Sequence, residues 1–303
     1  MRGDEMMSLQ IKALTKKFNH HVAVNQLSLK VDPGQVFGLL GRNGAGKSTT
    51  IKQILGLITP TSGEILWKGN EIRKSHVRIG YLPEERGLYT KNRIDRQLLY
   101  FGKLEGMTKK EAEMAIEKWL EKLDILAYKN KMVGELSKGN QQKVQLIATL
   151  LHDPDLIILD EPFTGLDPIN IELFLKVIAE ELTRKKVVMI SSHQMGIIEQ
   201  VCDAFCLLKN GVAEVSGSLQ QIKEGYAFKN LSIALDQAVL GVLENLKIPF
   251  KLDKNNIMIQ VENDRDALEI LNQVKDRHIF LTEFQLLQPS LQEIFVERVG
   301  DNG

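Results

Sequence analysis

Residues 41–49, GRNGAGKST, constrain the fold of this chain more than any other stretch. They follow a continuous apolar run at residues 36–40, which is typical of a strand buried on both faces of a sheet. Apolar residues at helical spacing come next, between Ile51 and Ile58, and predict a helix. A strand, a glycine-rich loop ending in Gly-Lys-Ser and a helix make up the P-loop arrangement. The sequence therefore predicts an α/β fold that holds phosphate groups at this loop.

In a P-loop, backbone N–H groups and the positive end of the helix hold phosphate oxygens. We expect Lys47 to reach the β- and γ-phosphates and the Ser48 hydroxyl to ligate Mg²⁺. The predicted nucleotide-binding residues in this loop are Gly41, Asn43, Gly44, Ala45, Gly46, Lys47, Ser48 and Thr49.

A pair of acids at residues 160–161 supplies the second half of such a site. Asp160 ends the apolar strand pattern LIILD and is expected to hold Mg²⁺ through water. Glu161 is placed to polarise a water molecule for attack on the γ-phosphate. Paired acids at a strand end also cap helices, but in a chain with a P-loop the catalytic interpretation is favoured.

The rest of the chain divides by its patterns into two predicted domains. Short strand patterns at residues 9–14, 22–24 and 27–31 predict an N-terminal antiparallel sheet, and residues 88–151 predict a charged helical lobe. Strands and helices then alternate, which indicates a mainly parallel sheet covered by helices. We place this first domain at residues 8–225.

The remainder, residues 226–303, reads strand, helix, strand, strand, helix, strand. This order predicts a small α+β domain of the ferredoxin-like type. It carries no cluster of reactive side chains, so we expect a regulatory or dimer-supporting module.

Charge and hydropathy restrict the partners. Lys and Arg together number 39, as do Asp and Glu, so no net charge attracts nucleic acid, and no nucleic-acid partner is expected. No apolar run approaches the ~18 residues of a membrane span, and the N-terminus lacks a signal-peptide pattern. We expect a cytoplasmic protein whose role at a membrane would depend on a partner.

A second anion-binding pattern, LSKGNQQK at residues 136–143, opens another predicted helix. The P-loop, LSKGN, LDEP, GLD and SSH occur in an order and spacing that resemble the ATP-binding cassette (ABC) ATPases over residues 9–225. The resemblance implies an ABC-type P-loop NTPase fold, with a RecA-like parallel core, an N-terminal antiparallel sheet and a helical lobe.

In that family the signature loop of one cassette closes over ATP held by the P-loop of another. The resemblance implies that Ser137, Lys138, Gly139 and Asn140 form this signature and face the ATP of a second copy in a head-to-tail dimer. It further implies that Asp167 is the D-loop acid, that His193 contacts the γ-phosphate and the attacking water, and that Phe18 stacks on adenine.

Three positions depart from the family pattern. Lys138 and Asn140 stand where the family has Gly and Gln, and Glu84 stands where most members have a glutamine that touches Mg²⁺. A carboxylate at Glu84 still suits a metal and a catalytic role. Its negative charge beside the γ-phosphate is expected to slow closure unless a base such as Arg86 compensates.

The segments PEERGLY, SKGNQQK and PSLQEIF resemble the ATPase subunits of sodium- or drug-extruding bacterial exporters. The resemblance implies a subunit on the cytoplasmic face of the membrane that binds separate integral membrane permease subunits. The alternative is a soluble ABC ATPase acting on ribosomes or DNA. Such members usually carry two cassettes or a long coiled-coil insert, and neither pattern occurs in this sequence.

Overall fold

The protein is described by a computed structural model at residues 8–85, 87–226 and 228–299. The chain divides into two compact units between Gly217 and Ser218. A short helix at Leu219–Glu224 follows that division, and the boundary expected from the sequence lies at the far end of this helix.

The helices and strands that begin in the first unit are, in chain order, β1 (Leu9–Phe18), β2 (His21–Val31), β3 (Val36–Leu40), α1 (Lys47–Ile54), β4 (Ser62–Trp67), β5 (Asn70–Glu71), β6 (Ile79–Leu82), α2 (Ile94–Leu104), α3 (Lys109–Lys122), α4 (Lys138–Leu150), β7 (Leu156–Asp160), α5 (Pro168–Thr183), β8 (Val187–Ser192), α6 (Met195–Val201), β9 (Ala204–Lys209) and β10 (Val212–Ser218).

The N-terminal sheet has the strand order β2-β1-β4-β5, and its neighbouring strands are antiparallel. β1 and β2 are longer than the runs expected from the sequence, because their pairing continues through register shifts between Ile11 and Lys17. The predicted antiparallel sheet is confirmed.

The central sheet has the order β10-β9-β3-β8-β7-β6. The pairs β9–β3, β3–β8, β8–β7 and β7–β6 are parallel, and every residue of β3, β7 and β8 is buried. Parallel strands end at the same edge of a sheet, so the loops after β3, β6, β7 and β8 meet there. These loops carry the P-loop, Glu84, Glu161 and His193.

The predicted helical lobe is confirmed as α2, α3 and α4. At the start of α3 the Thr108 side chain accepts a hydrogen bond from the Glu111 N–H, and the Glu111 carboxylate accepts one from the Thr108 N–H. This capping box satisfies backbone donors at the helix start. Ala112, Ile116 and Leu120 form the buried stripe of the helix.

The second unit contains α7 (Leu219–Glu224), β11 (Lys229–Ala234), α8 (Gln237–Asn245), β12 (Lys251–Asp253), β13 (Asn256–Val261), α9 (Asp264–Lys275), β14 (Phe284–Leu287) and α10 (Leu291–Val299). Its antiparallel sheet has the order β12-β13-β11-β14. The central pair is thus the first and third strands of the βαββαβ series, as the ferredoxin-like prediction requires. The sequence pattern predicts the last strand at residues 279–287. The observed β14 is shorter because β11 pairs with it only at Asn230–Ile233, while Ile279 and Leu281 pack on the core without strand pairing.

Candidate functional site

A cavity of about 420 Å³ lies where the P-loop meets the ends of β6 and β7. Its lining residues are Phe18, His21, Ala23, Arg42, Asn43, Gly44, Gly46, Lys47, Ser48, Thr49, Glu84, Asp160 and Glu161. Gly41 and Ala45, also predicted to bind nucleotide, are buried and do not line it. The structure therefore brings most of the predicted nucleotide and metal residues to one cavity.

Backbone geometry explains the glycines at both ends of the loop. Gly41 has a φ of 149°, and a Cβ there would stand 2.6 Å from the Leu208 carbonyl oxygen. Gly46 has a φ of 109°, and a Cβ there would stand 2.6 Å from the Ala23 carbonyl oxygen. Any side chain at these positions would collide with fixed backbone, so the loop requires glycine to pass this close to its neighbours.

Lys47, the first residue of α1, is buried and points back into the loop. Its Nζ donates to the Gly41 carbonyl oxygen at 2.7 Å and lies 3.7 Å from Glu161 Oε1. A full positive charge thus stands beside the convergent backbone of the P-loop. This arrangement suits an anionic ligand with several phosphate oxygens.

Asp160 ends β7, and only 3% of its surface is exposed. Its Oδ1 accepts a hydrogen bond from the Ser191 hydroxyl, and its Oδ2 accepts one from the Tyr81 hydroxyl at 3.5 Å. Burial raises the pKa of the Asp160 carboxyl above its ordinary value, although the Ser191 hydrogen bond acts in the opposite direction. Burial and the nearby Asp160 charge also raise the pKa of Tyr81 to about 12. A cation in the cavity would offset the cost of this buried carboxylate.

Glu161 is likewise buried, with a backbone φ of 49°, a conformation that costs a non-glycine residue about 1–3 kcal/mol. Its N–H donates to the Ser191 carbonyl oxygen at 3.0 Å, and its Oε2 accepts from the Ser192 hydroxyl at 3.3 Å. Its Oε1 lies 2.9 Å from His193 Nδ1 without the alignment of a hydrogen bond. The carboxylate is therefore held between Lys47, His193 and the end of β8.

Ser191 and Ser192 contact the two acids but were not singled out as individual residues from the sequence. Both hydroxyls are buried at the end of β8, one donating to Asp160 and the other to Glu161. Two serines that end an otherwise apolar strand were the available signal, because buried hydroxyls need partners.

Glu84 follows β6 and lines the same cavity with an exposed side chain. The backbone on either side of it is held by Gln145 of α4, whose Nε2 donates to the Pro83 carbonyl oxygen at 3.0 Å and the Glu85 carbonyl oxygen at 3.5 Å. Arg86, expected to compensate the Glu84 charge, lies outside the described residues.

Phe18 lies at the end of β1, where 45% of its surface is exposed at the cavity. Lys16 Nζ stands 4.9 Å from the centre of the ring. An exposed aromatic ring beside a phosphate site provides a flat surface on which a base could stack. His21, which also lines the cavity, was not singled out from the sequence.

The signature residues Ser137, Lys138, Gly139 and Asn140 do not line this cavity, and neither do Asp167 and His193. Ser137 caps α4 by accepting a hydrogen bond from the Asn140 N–H, and Ser137 and Lys138 are exposed.

Asp167 caps α5 and accepts hydrogen bonds from the N–H and side-chain amide of Asn170. These bonds lower the pKa of the Asp167 carboxyl. The Asn170 amide also stands against Gly139, where an added Cβ would approach its nitrogen to 2.9 Å. The first turn of α5 thus contacts the start of α4.

A P-loop with a buried lysine and a pair of strand-end acids define a P-loop nucleotide hydrolase. Two family descriptions match the chain, "ABC transporter" over residues 24–164 and "ATP-binding protein DrrA1-3-like, C-terminal domain" over residues 217–299. The chain is 42% identical to the uncharacterized ABC transporter ATP-binding protein YhaQ of Bacillus subtilis, over 96% of this chain and 98% of YhaQ. It is 35% identical to the ABC transporter ATP-binding protein NatA of the same organism, over 73% of this chain and 92% of NatA.

Solved structures of ABC transporter ATP-binding proteins share this fold. A structure of the ATP-binding subunit of an ABC transporter matches with a TM-score of 0.66 and 31% identity, over 71% of this chain and 92% of that one. The dimeric structure of MJ0796, a bacterial ABC transporter cassette, shares the fold with a TM-score of 0.64 at 20% identity, over 70% of this chain and 98% of MJ0796. The chain belongs to the ABC transporter ATP-binding proteins. It is an ATP-binding subunit of a transporter, with the ATPase activity of that family.

Proposed function

We propose that this chain is the motor subunit of a membrane exporter, in which two copies close head to tail around two ATP molecules. Hydrolysis and phosphate release would then reopen the pair and pass this motion to integral membrane permease subunits.

One observation carries the proposal. The cavity is lined by P-loop residues, Asp160, Glu161 and Glu84, while the signature at the start of α4 does not line it and exposes Ser137 and Lys138. A second copy would bring the partner's Ser137 and the N-terminus of its α4 to the γ-phosphate. The dimeric MJ0796 cassette, which has the same fold, supports this arrangement.

Within one copy, the cavity residues divide the work. The P-loop backbone and Lys47 would bind the phosphates, and Phe18 would stack on adenine. Glu161 would accept the proton of the attacking water, while His193, 2.9 Å from its Oε1, would orient that water and the γ-phosphate. The partner's Asp167 would help to align the two sites.

The donor set also fits Mg²⁺. Ser48, Asp160 and Glu84 offer one hydroxyl and two carboxylates to the cavity, and the described residues contain no group of three or more His, Cys, Asp or Glu that could hold a metal. Few protein ligands are typical of Mg²⁺, which keeps waters and shares substrate phosphates. When bound, it would neutralise charge that develops on the transferred phosphoryl group.

The proposed association with a membrane permease is based on the family to which the chain belongs. No helix within the described residues is long and apolar enough to cross a membrane. From its membership of the ABC transporter ATP-binding proteins, we place the subunit on the cytoplasmic face, with the permease docked beside the Glu84 loop, where Tyr89 and Tyr100 expose 60% and 53% of their surfaces. Exposed aromatic rings are favourable anchors for a partner.

The test is the variant Glu161→Gln in the full chain. With ATP it is expected to accumulate as a dimer in size-exclusion chromatography with light scattering, because the nucleotide binds but is not hydrolysed. Glu85→Gln, an exposed neighbour outside the cavity lining, is the matched control and should hydrolyse ATP and not accumulate. A Glu161→Gln protein that stays monomeric with ATP would refute the dimer.

A second measurement addresses the partner. Co-purification of the tagged chain with a multi-span membrane protein is expected. Co-purification with ribosomes or DNA instead would favour a soluble ABC ATPase.

A further inference from the structure

One face of α4, the helix that begins at the signature, donates hydrogen bonds to backbone carbonyls around the ATP cavity. Gln142 donates to the Pro162 carbonyl oxygen at 3.3 Å. Gln145 donates to those of Pro83 and Glu85, and Thr149 donates to that of Tyr81 at 3.3 Å. The signature helix thus contacts the segments that carry both Glu84 and Glu161.

Gln145 contacts the backbone on both sides of Glu84. Its side chain is 3% exposed, and its Nε2 reaches the carbonyl oxygens of the residues directly before and after Glu84. The Glu84 carboxylate itself makes no hydrogen bond or ion pair with the described residues, so its position depends on its backbone. A clamp on that backbone limits where the carboxylate can stand.

Packing alone does not account for an amide at this position. Gln145 Oε1 is buried without a hydrogen-bond partner in the part of the chain that the structure describes. Leaving a buried polar atom unsatisfied is unfavourable, whereas an apolar residue of similar size would fill the volume without that cost. The polar group at Gln145 is therefore best explained by the two bonds that its nitrogen donates.

We propose that Gln145 is a positioning residue that holds Glu84 at the metal end of the cavity and links it to the signature helix. The inference rests on the metal role proposed above for Glu84. Gln145 lies eight positions beyond Ser137, about 12 Å along a rigid helix, so a displacement of the signature would move the clamp. The signature would contact ATP held by the partner copy. It would then move together with the Glu84 carboxylate in the chain's own site.

The test replaces Gln145 by Leu and by Met, two apolar residues of similar volume, in the full chain. Metal affinity is measured directly as Mn²⁺ occupancy by electron paramagnetic resonance, with a non-hydrolysable ATP analogue bound. The expected result is a roughly threefold to tenfold weaker Mn²⁺ affinity, the scale of one lost hydrogen-bonded contact. Amide exchange in the peptide that spans Glu84 should also become faster, while nucleotide affinity without metal stays unchanged.

Thr149→Val is the matched control, because it removes a hydroxyl that lies 2.9 Å from the Gln145 carbonyl oxygen and 3.3 Å from the Tyr81 carbonyl oxygen, while the Gln145 amide and the carbonyls beside Glu84 stay in place. It should leave Mn²⁺ affinity unchanged. Circular dichroism and thermal melting identify any variant that fails to fold. If one of the two Gln145 variants does not fold, the other still allows the comparison with Thr149→Val.

The decisive comparison is a double-mutant cycle with Glu84→Ala. If Gln145 acts through Glu84, Gln145→Leu has no further effect on Mn²⁺ affinity once Glu84 is removed. Equal losses in both backgrounds, or no loss in either Gln145 variant, would overturn the proposal. Unchanged Mn²⁺ affinity in Glu84→Ala alone would instead refute the metal role of Glu84. Because binding is measured without turnover or transport, a missing dimer or permease would leave this result interpretable.

Discussion

Glu161 and Glu84 stand at the same edge of the central sheet, but the fold holds them by different means. Glu161 is 4% exposed, and its side chain contacts Lys47, Ser192 and His193. Glu84 is exposed, and only the backbone beside it is clamped, by Gln145. The Glu161 carboxylate is immobilised by contacts to its own oxygens. The Glu84 side chain is free to rotate, but the loop that carries it is held in position.

The difference matches the work proposed for each group. A general base needs a fixed direction toward one water molecule, so side-chain contacts and a strained backbone are an acceptable cost. A metal ligand that is linked to the signature helix has to move when that helix moves. Tethering the Glu84 loop to the signature helix allows that response. Substitutions of the two acids should therefore have different effects on turnover and on closure.

The largest expected effect is on turnover. Glu161→Gln should lower kcat by about 10²–10⁴-fold, the contribution of a general base, while ATP affinity is retained. Glu84→Gln keeps an oxygen ligand and should change kcat by less than about tenfold. Steady-state phosphate release, with nucleotide binding measured separately, checks both. Equal loss in the two variants would erase the distinction between them.

The second prediction concerns Asp160, the buried acid beside Glu161, and uses the variant Ser191→Ala. Removing this donor to Asp160 deletes a hydrogen bond to a charged acceptor, worth about 1.5–3 kcal/mol, so kcat/KM at low Mg²⁺ should fall by roughly ten- to a hundredfold.

Ser191→Ala also predicts a change in pH dependence. The pKa of Asp160 is already raised by burial, and the Ser191 bond lowers it, so loss of that bond raises the pKa further. Metal binding needs the ionised carboxylate, so the acid limb of the kcat/KM profile should move to higher pH. A limb that stayed in place or moved to lower pH would contradict this assignment, and Ser28→Ala, at a position that does not line the cavity, provides the control.

The smallest effect is expected in closure. Glu84→Gln removes a negative charge from the nucleotide cavity, where repulsion between two unit charges 4 Å apart in a water-like medium is about 1 kcal/mol. ATP-driven dimerisation should become a few-fold faster at low ionic strength, and the gain should shrink as salt screens the charge. Light scattering after rapid mixing with ATP measures it. An unchanged rate would mean that the Glu84 charge is already compensated, and slower closure would contradict the repulsion argument.

Much of the site could be predicted because its motifs are contiguous. The loop from Gly41 to Thr49 and the pair Asp160 and Glu161 each carry their chemistry within a few neighbouring residues. The P-loop fold, the helical lobe and the ferredoxin-like order also follow from local periodicity, and the structure confirms them. The ends of β1, β2 and β14 could not be predicted from local periodicity, because the end of a strand depends on the length over which a neighbouring strand pairs with it.

Residues that act through distant partners were missed. Ser191 and Ser192 reach Asp160 and Glu161 only because β8 lies beside β7, and Gln145 reaches the carbonyls on either side of Glu84 only because α4 packs against β6. In the sequence each of these is an ordinary polar residue. Its partner lies about 30 to 60 positions away, and no local pattern records the pairing.

The sequence alone determined the P-loop pattern and the pair of acids expected beside it, because glycines and charged groups at fixed spacing leave few other uses, and the order of its motifs carried the resemblance to the ABC ATPases. Only the tertiary structure decided which acid is buried and which is exposed, and which side chains hold each of them. Burial and hydrogen bonding depend on strands and helices far apart in the chain. Strand order and helix packing, rather than local composition, therefore set the environment of each carboxylate.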